Sequence, residues 1–182
     1  MILEEKTVQS EVVFKGRIFE VRVETVEFPD KSTAYREIVD HPGGVGVLAL
    51  TADGKIPLVK QYRKPYDKVI YEIPAGKLDK NEDPLLCGKR ELKEETGYSA
   101  EEFFSLGFIY PTPGFANETT YIYFAKGLTK GKDNPDDDEF LDVEEFSVDE
   151  VKTMILNNQI NDAKTVAAVL KGGAMNLFAE AN

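Results

Sequence analysis

Three glutamates, Glu91, Glu94 and Glu95, fall close together in a segment that carries clear helix signals. Asp83 can cap free amides, Pro84 suits a first helical turn, and Gly97 can take the left-handed turn that closes a helix. At about 100° per residue the three carboxylates share one sector of that helix, and Leu85 and Leu92 share a neighbouring sector that can face a core. Like charges three and four apart repel. A solvated acidic face is the plain alternative, and it gains nothing from this arrangement. A hard divalent cation reverses the sign: Mg²⁺ or Mn²⁺ prefers oxygen ligands and few protein carboxylates, which leaves positions for phosphate and water. The pattern therefore predicts a metal site that accepts a phosphate-bearing ligand. Cys87 and Gly88 are small and lie on or near the acidic side, so the helix can sit close against its neighbour.

From Gly76 to Tyr98 the residues run GKLDKNEDPLLCGKRELKEETGY. They match the pattern G-x5-E-x7-R-E-U-x-E-E-x-G-U, where U is bulky and apolar, with Gly76, Glu82, Arg90, Glu91, Glu94, Glu95 and Gly97 all in place. The chain thus resembles the Nudix hydrolases. Leu92 fits the first apolar position. Tyr98 is aromatic where an aliphatic residue is commoner, a departure that touches packing and not the acids. The resemblance implies a mixed sheet between helices and hydrolysis of a nucleoside diphosphate derivative with Mg²⁺ as cofactor, Mn²⁺ being the alternative. It implies Glu91, Glu95 and the carbonyl of Ala75 as metal ligands, and Glu94 as a ligand or the support of one. Arg90 can reach Glu94 four residues on and hold it. Glu82 is expected to anchor the loop by hydrogen bonds to the start of the helix.

The box handles metal and diphosphate, so the substrate must be chosen elsewhere. Gln61-Tyr62-Arg63, the run Glu72-Ile73-Pro74-Ala75-Gly76-Lys77, and Pro113 in a loop beyond the box resemble the ADP-ribose pyrophosphatase subgroup. Arg63 can offer a planar fork of donors to a phosphate. Arg36 is a second arginine for the same task, with a solvated surface head as its equal alternative. The resemblance also implies a carboxylate from the acidic loop ahead of the last strand. Glu139 or Asp138 would then orient or deprotonate the attacking water; the sequence does not choose between them, and Glu118 is a weaker candidate. Phe19 is the nearest match to the aromatic that the subgroup stacks on adenine, in N-terminal strands that two protomers exchange or pack together. His41, the only histidine, stands at a turn and reads as structural. The implied reaction is ADP-ribose plus water giving AMP and ribose 5-phosphate. Two alternatives stand beside it. One is cleavage of another nucleoside diphosphate derivative, a sugar nucleotide or a dinucleotide. The other is a non-catalytic nucleotide-binding module, which predicts gaps among the acids where none is found.

These side chains need a frame. At 182 residues the chain suits one domain with a small appendage. Its net charge of −11 argues against nucleic acid and against an anionic membrane as partners. It also means that metal and local arginines must supply the positive charge a diphosphate needs. A single cysteine excludes an internal disulfide. No apolar run is long enough to span a bilayer and Met1 opens no signal-peptide pattern, so a cytoplasmic enzyme is expected. Thr7–Lys15, Ile18–Phe28 and Thr33–Val39 read as an N-terminal antiparallel sheet, with alternation clearest in the second run. Val45–Leu50 is continuously apolar, as in a strand buried on both faces, and Ala52-Asp53-Gly54-Lys55 signals a hairpin to Ile56–Tyr62. Val69–Ile73, Phe103–Tyr110, Thr119–Ala125 and Phe140–Phe146 are further strands, followed by helices over Val148–Leu156 and Asp162–Leu170, with Gly172-Gly173 ending the latter. The expected class is α+β, an α/β/α sandwich with a mixed sheet behind a small N-terminal antiparallel sheet. The expected division is an N-terminal β subdomain over 1–42 that pairs two protomers as a homodimer, a catalytic domain over 43–172 and a tail over 173–182.

Overall fold

The strand Gly44–Ala49 (β4) is buried at all of its positions, and the rest of the catalytic unit is built on its two faces. The computed structural model describes residues 4–132 and 140–179. Around β4 the chain adds Lys55–Arg63 (β5), Lys68–Glu72 (β6), Ala75–Lys77 (β7), the helix Pro84–Thr96 (α1), Tyr98–Ile109 (β8), Thr120–Lys130 (β9), Leu141–Ser147 (β10), and the helices Val148–Leu156 (α2) and Ala163–Ala174 (α3). One sheet is mixed, in the order β7-β4-β9-β8, with β4 and β9 parallel and the other pairs antiparallel. The other is antiparallel, in the order β10-β5-β6. Alternate residues of β4 serve opposite layers, as strand geometry requires. Val47 and Ala49 pack with Leu92 of α1 and with Tyr98, while Leu48 joins Ile122, Ala168, Val169 and Phe178 on the α3 side. This is the expected α/β/α sandwich.

Two local expectations need correction. The turn after Thr51 forms, with Gly54 N–H donating to Thr51 O at 3.0 Å, but β4 and β5 do not pair with each other and run into different sheets. The turn signal is local, whereas the choice of partner is made by burial: β4 is apolar on both faces and belongs between β7 and β9. The second correction concerns α3, which runs through Gly172 and Gly173. At Gly172 a Cβ would meet Phe178 Cζ at 2.9 Å and Leu48 Cδ2 at 3.0 Å, so this glycine serves close helix packing. Phe178, within the tail expected over 173–182, is buried in the core.

The N-terminal unit holds Lys6–Lys15 (β1), Glu20–Glu27 (β2) and Thr33–Asp40 (β3) in one antiparallel sheet of that order. It also takes in residues Tyr110–Thr119. Val39 N–H donates to Phe115 O at 2.8 Å and Asn117 N–H to Val39 O at 3.1 Å. The Asn117 side chain accepts from His41 N–H at 2.9 Å and donates to Asp40 Oδ1 at 2.7 Å. His41 Nδ1 accepts from Gly43 N–H at 3.1 Å, the structural part expected of it. Every position of β1 is exposed. No helix among the described residues is long and apolar enough to cross a membrane.

Candidate active site

The acidic helix forms as its caps dictate. Asp83 accepts from Leu85 N–H at 2.9 Å and Leu86 N–H at 3.1 Å, Pro84 opens α1, and Gly97 closes it at a φ of 74°. Gly88 brings the helix down on β4, where a Cβ would stand 3.2 Å from the Cγ2 atoms of both Val45 and Val47. That close seat turns the acids inward: Glu91 is 8% exposed and Glu95 3%. Burying carboxylates is costly unless charge or hydrogen bonds compensate.

Part of the compensation comes from Arg90. Its Nη1 donates to Glu91 Oε1 at 2.8 Å and to Glu94 Oε2 at 2.9 Å, while Nε and Nη2 each donate to Glu82 at 3.1 Å. One guanidinium thus serves three carboxylates, and these four side chains together carry more negative than positive charge. Its bonds to Glu82, foremost, raise the pKa of Arg90 further and keep it charged. In return Glu82 is held at about 2, chiefly by Arg90. Glu82 also accepts from Asp79 N–H at 3.0 Å. It anchors the loop through Arg90 and not through the helix-start amides, which Asp83 already satisfies. Glu95 is fixed by the strand ahead of the box, with Ala75 N–H donating to its Oε2 at 2.9 Å.

Gly76 is the tightest point. A Cβ there would lie 1.8 Å from Glu91 Oε1, so the Glu91 carboxylate occupies the space a side chain would take. Cys87 is fully buried, its Sγ 3.4 Å from Lys77 O, and burial pushes its thiol up to about 12. Tyr98 packs into the cluster with Val47 and Leu92, and its hydroxyl donates to Glu145 at 2.6 Å, which gives the aromatic a role an aliphatic residue lacks.

The donor set suits a divalent cation. Two nearly buried carboxylates, a third beside them and an arginine shared between Glu91 and Glu94 make an oxygen-rich donor set of the kind a hard divalent cation takes. Among the described residues no three His, Cys, Asp or Glu side chains are already gathered as a cage.

Arg63 sits at the end of β5 with its fork on Glu72: Nε to Oε1 at 2.6 Å and Nη2 to Oε2 at 2.9 Å. Glu72 is almost fully buried and also accepts from Lys164 Nζ. Burial alone would push Glu72 up, but Arg63 and Lys164 outweigh it and hold this carboxyl below its ordinary range. The bonds to Glu72 in turn raise Arg63, and the field of Glu95 adds to them, which brings Arg63 electrostatically within reach of the acidic helix. Glu72 and Lys164 were not singled out from sequence. Glu72 lies inside the run that carries the resemblance, whereas nothing local marks Lys164, 92 residues further on.

The other expected residues lie in the N-terminal unit. Arg36 gives its fork to Glu5, at 2.8 and 2.6 Å, and stands over the Phe28 ring. Phe19 is 39% exposed with its ring 5.8 Å from that of Phe14. Pro113 lies in a turn closed by Phe115 and Ala116 N–H groups on Thr112 O, and Glu118 approaches His41 Nδ1 at 4.0 Å. Asp138 and Glu139 lie outside the described residues.

Comparison with known proteins bears on this arrangement. Residues 40–169 match the NUDIX domain and residues 5–39 the nucleoside diphosphate sugar hydrolase N-terminal domain. The chain is 49% identical to a methanol dehydrogenase activator of Bacillus methanolicus, over 92% of each chain. It is 44% identical to an ADP-ribose pyrophosphatase of Bacillus subtilis (strain 168), over 92% of this chain and 91% of that one. A crystal structure of an ADP compounds hydrolase superposes with a TM-score of 0.86, covering 100% of this chain and 99% of the other at 19% identity, which speaks to the fold. The intact box on a buried, capped helix and the match over most of the chain agree: this protein belongs to the Nudix family and is a hydrolase of the kind that in general uses a divalent metal.

Proposed function

We propose that this enzyme hydrolyses the diphosphate of ADP-ribose to AMP and ribose 5-phosphate, with Mg²⁺ as its metal. The observation that carries the substrate is the 44% identity, over nearly the full length of both chains, to a protein named ADP-ribose pyrophosphatase. Glu91, Glu95 and the Ala75 carbonyl are the ligands in this reading, with Glu94 as a further ligand or their support. A divalent cation there supplies neutralising charge for the diphosphate and a more acidic bound water. The chain's own groups do the rest. Arg90 steadies Glu91 and Glu94, and Arg63 clamps a phosphate oxygen. The water oxygen adds to one phosphorus, the bond from that phosphorus to the bridging oxygen breaks, and the water proton passes to a carboxylate, Glu94 or the loop acids Asp138 and Glu139. Phe19, Arg36, Pro113 and Glu118 are proposed for substrate contact on the family resemblance; Arg36 would have to release Glu5 to act.

A homodimer through the N-terminal strands is part of the same proposal. Its support is the wholly exposed β1, with Val8, Val12, Val13 and Phe14 all open to solvent. In this division the N-terminal unit pairs protomers and the unit around β4 carries the chemistry. The relative named as a methanol dehydrogenase activator favours a second role, activation of a methanol dehydrogenase. The test is a panel of ADP-ribose, a sugar nucleotide and a dinucleotide with Mg²⁺ or Mn²⁺, scored by AMP release. Highest kcat/KM on ADP-ribose supports the reading, and preference for another member replaces it.

A further inference from the structure

Lys164 lies in the first turn of α3, far in sequence from the box, and its ammonium reaches two acids. It bonds the buried Glu72 and, at 3.1 Å, Asp162 Oδ1. Asp162 caps α3: its Oδ2 accepts from Thr165 N–H at 3.0 Å and from Thr165 Oγ1 at 2.6 Å. Thr165 Oγ1 accepts in turn from Ile73 N–H at 2.9 Å. The α3 cap is thus tied at two adjacent points, Glu72 and Ile73, to the strand that leads directly to Ala75, whose amide holds Glu95.

The cluster contains two acids, Glu72 and Asp162, and two cations, Lys164 and Arg63. The fork of Arg63 uses Nε and Nη2 and leaves Nη1 outside it. With Lys164 present the charges balance, and Glu72 receives Arg63 in one orientation because its second oxygen is shared with a fixed ammonium. Without Lys164 Glu72 is free to re-aim the guanidinium.

We infer that Lys164 is a positioning residue for substrate binding, acting through Glu72 to fix the angle at which Arg63 presents its guanidinium to the substrate phosphate. The inference rests on the proposed role of Arg63. A purely structural tie between α3 and β6 predicts lost stability without a change in binding.

The test measures steady-state kinetics with ADP-ribose and Mg²⁺, thermal midpoint, and calorimetric binding of α,β-methylene ADP-ribose. It compares Lys164→Met and Lys164→Arg, each alone and with Arg63→Ala. Lys164→Met is expected to raise KM and the analogue Kd by about tenfold with kcat within about twofold, the pattern of lost ground-state binding. Lys164→Arg should restore most of the affinity. In the Arg63→Ala background Lys164→Met should add less than about twofold, since both remove the same contact. Should Lys164→Met not fold, Lys164→Gln keeps a donor without the charge and is expected to show the same split. Unchanged KM and Kd with a lowered midpoint, or effects that multiply in the double variant, overturn the inference. A wild-type chain inert toward ADP-ribose overturns the proposed substrate instead, so the two failures are told apart.

Discussion

Replacing Gly76 by alanine would place a Cβ 1.8 Å from Glu91 Oε1, 2.0 Å from its Cδ and 2.5 Å from its Oε2. Ordinary contact begins near 3.4 Å, so the nearest oxygen must retreat by about 1.6 Å. The backbone of β7 is poorly placed to give way. It is paired along β4 from Gly44 to Gly46, and Val47 N–H holds Pro74 O at 2.8 Å. The retreat therefore falls on the Glu91 side chain, which is flexible, and its expected stability cost is about 1 kcal/mol, one strained rotamer or one weakened hydrogen bond. For a chain of this size that is a drop in thermal midpoint of about 2–4 °C. The site is less forgiving, since a misplacement of about 1 Å in a reacting constellation costs on the order of a hundredfold. Gly76→Ala should thus lose at least about a hundredfold in kcat/KM, or about 2.7 kcal/mol of transition-state stabilisation. AMP release from ADP-ribose across a range of Mg²⁺ concentrations, with thermal melts of the same samples, measures both quantities. Gly173→Ala is the control, because the nearest atom to its Cβ is 3.9 Å away. Wild-type turnover in Gly76→Ala would remove Glu91 from the metal site. A melt that collapses in step with activity would make Gly76 a folding residue only.

The remaining expectations concern charge and the clamp. Glu82 is held at about 2, below its ordinary 4.5, so its contribution to stability is complete above pH 4.5 and is lost as the pH falls toward 2; urea midpoints of wild type and Glu82→Gln should differ at neutral pH and converge over that window, and a constant gap would refute the pairing. Cys87, fully buried and with its thiol pushed up to about 12, should resist a thiol reagent in the native state and react in urea; rapid native labelling would refute its burial. Arg63→Ala should raise KM for ADP-ribose with little change in kcat, and an unchanged KM would remove Arg63 from the substrate.

What could be read from sequence was what the chain decides locally. Asp83, Pro84 and Gly97 fix α1 through their own backbone and capping preferences, and Ser147 starts α2 for the same reason, with a capping box to Glu150. The acids of the box follow, because helical spacing alone aligns Glu91, Glu94 and Glu95. What could not be read depends on partners distant in sequence. The turn after Thr51 looks alike whether β4 and β5 pair or part, and only the apolar character of both β4 faces sends them to different sheets. The glycines at 172 and 173 look like a helix stop until Phe178 and Leu48 are seen against the first of them. Arg63 and Arg36 present the same side chain to a sequence reader, yet Arg63 meets a buried Glu72 shared with Lys164, while Arg36 meets Glu5. The loop carrying Pro113 and Glu118 reads as an isolated turn and proves to be hydrogen-bonded to β3 through Asn117 and Val39.

In the proposed function the α1 carboxylates hold the metal on which hydrolysis of ADP-ribose depends. Glu95→Gln keeps the shape of a residue that is 3% exposed and leaves an oxygen to accept from Ala75 N–H, so the fold should persist while the charge is lost. The measurement is AMP and ribose 5-phosphate release from ADP-ribose with Mg²⁺ by wild type and Glu95→Gln side by side, with a melt of each. Stoichiometric release of both products by the wild type and loss of most turnover in a folded Glu95→Gln are expected. Near-normal turnover in that variant, or a wild type that leaves ADP-ribose intact, would contradict it.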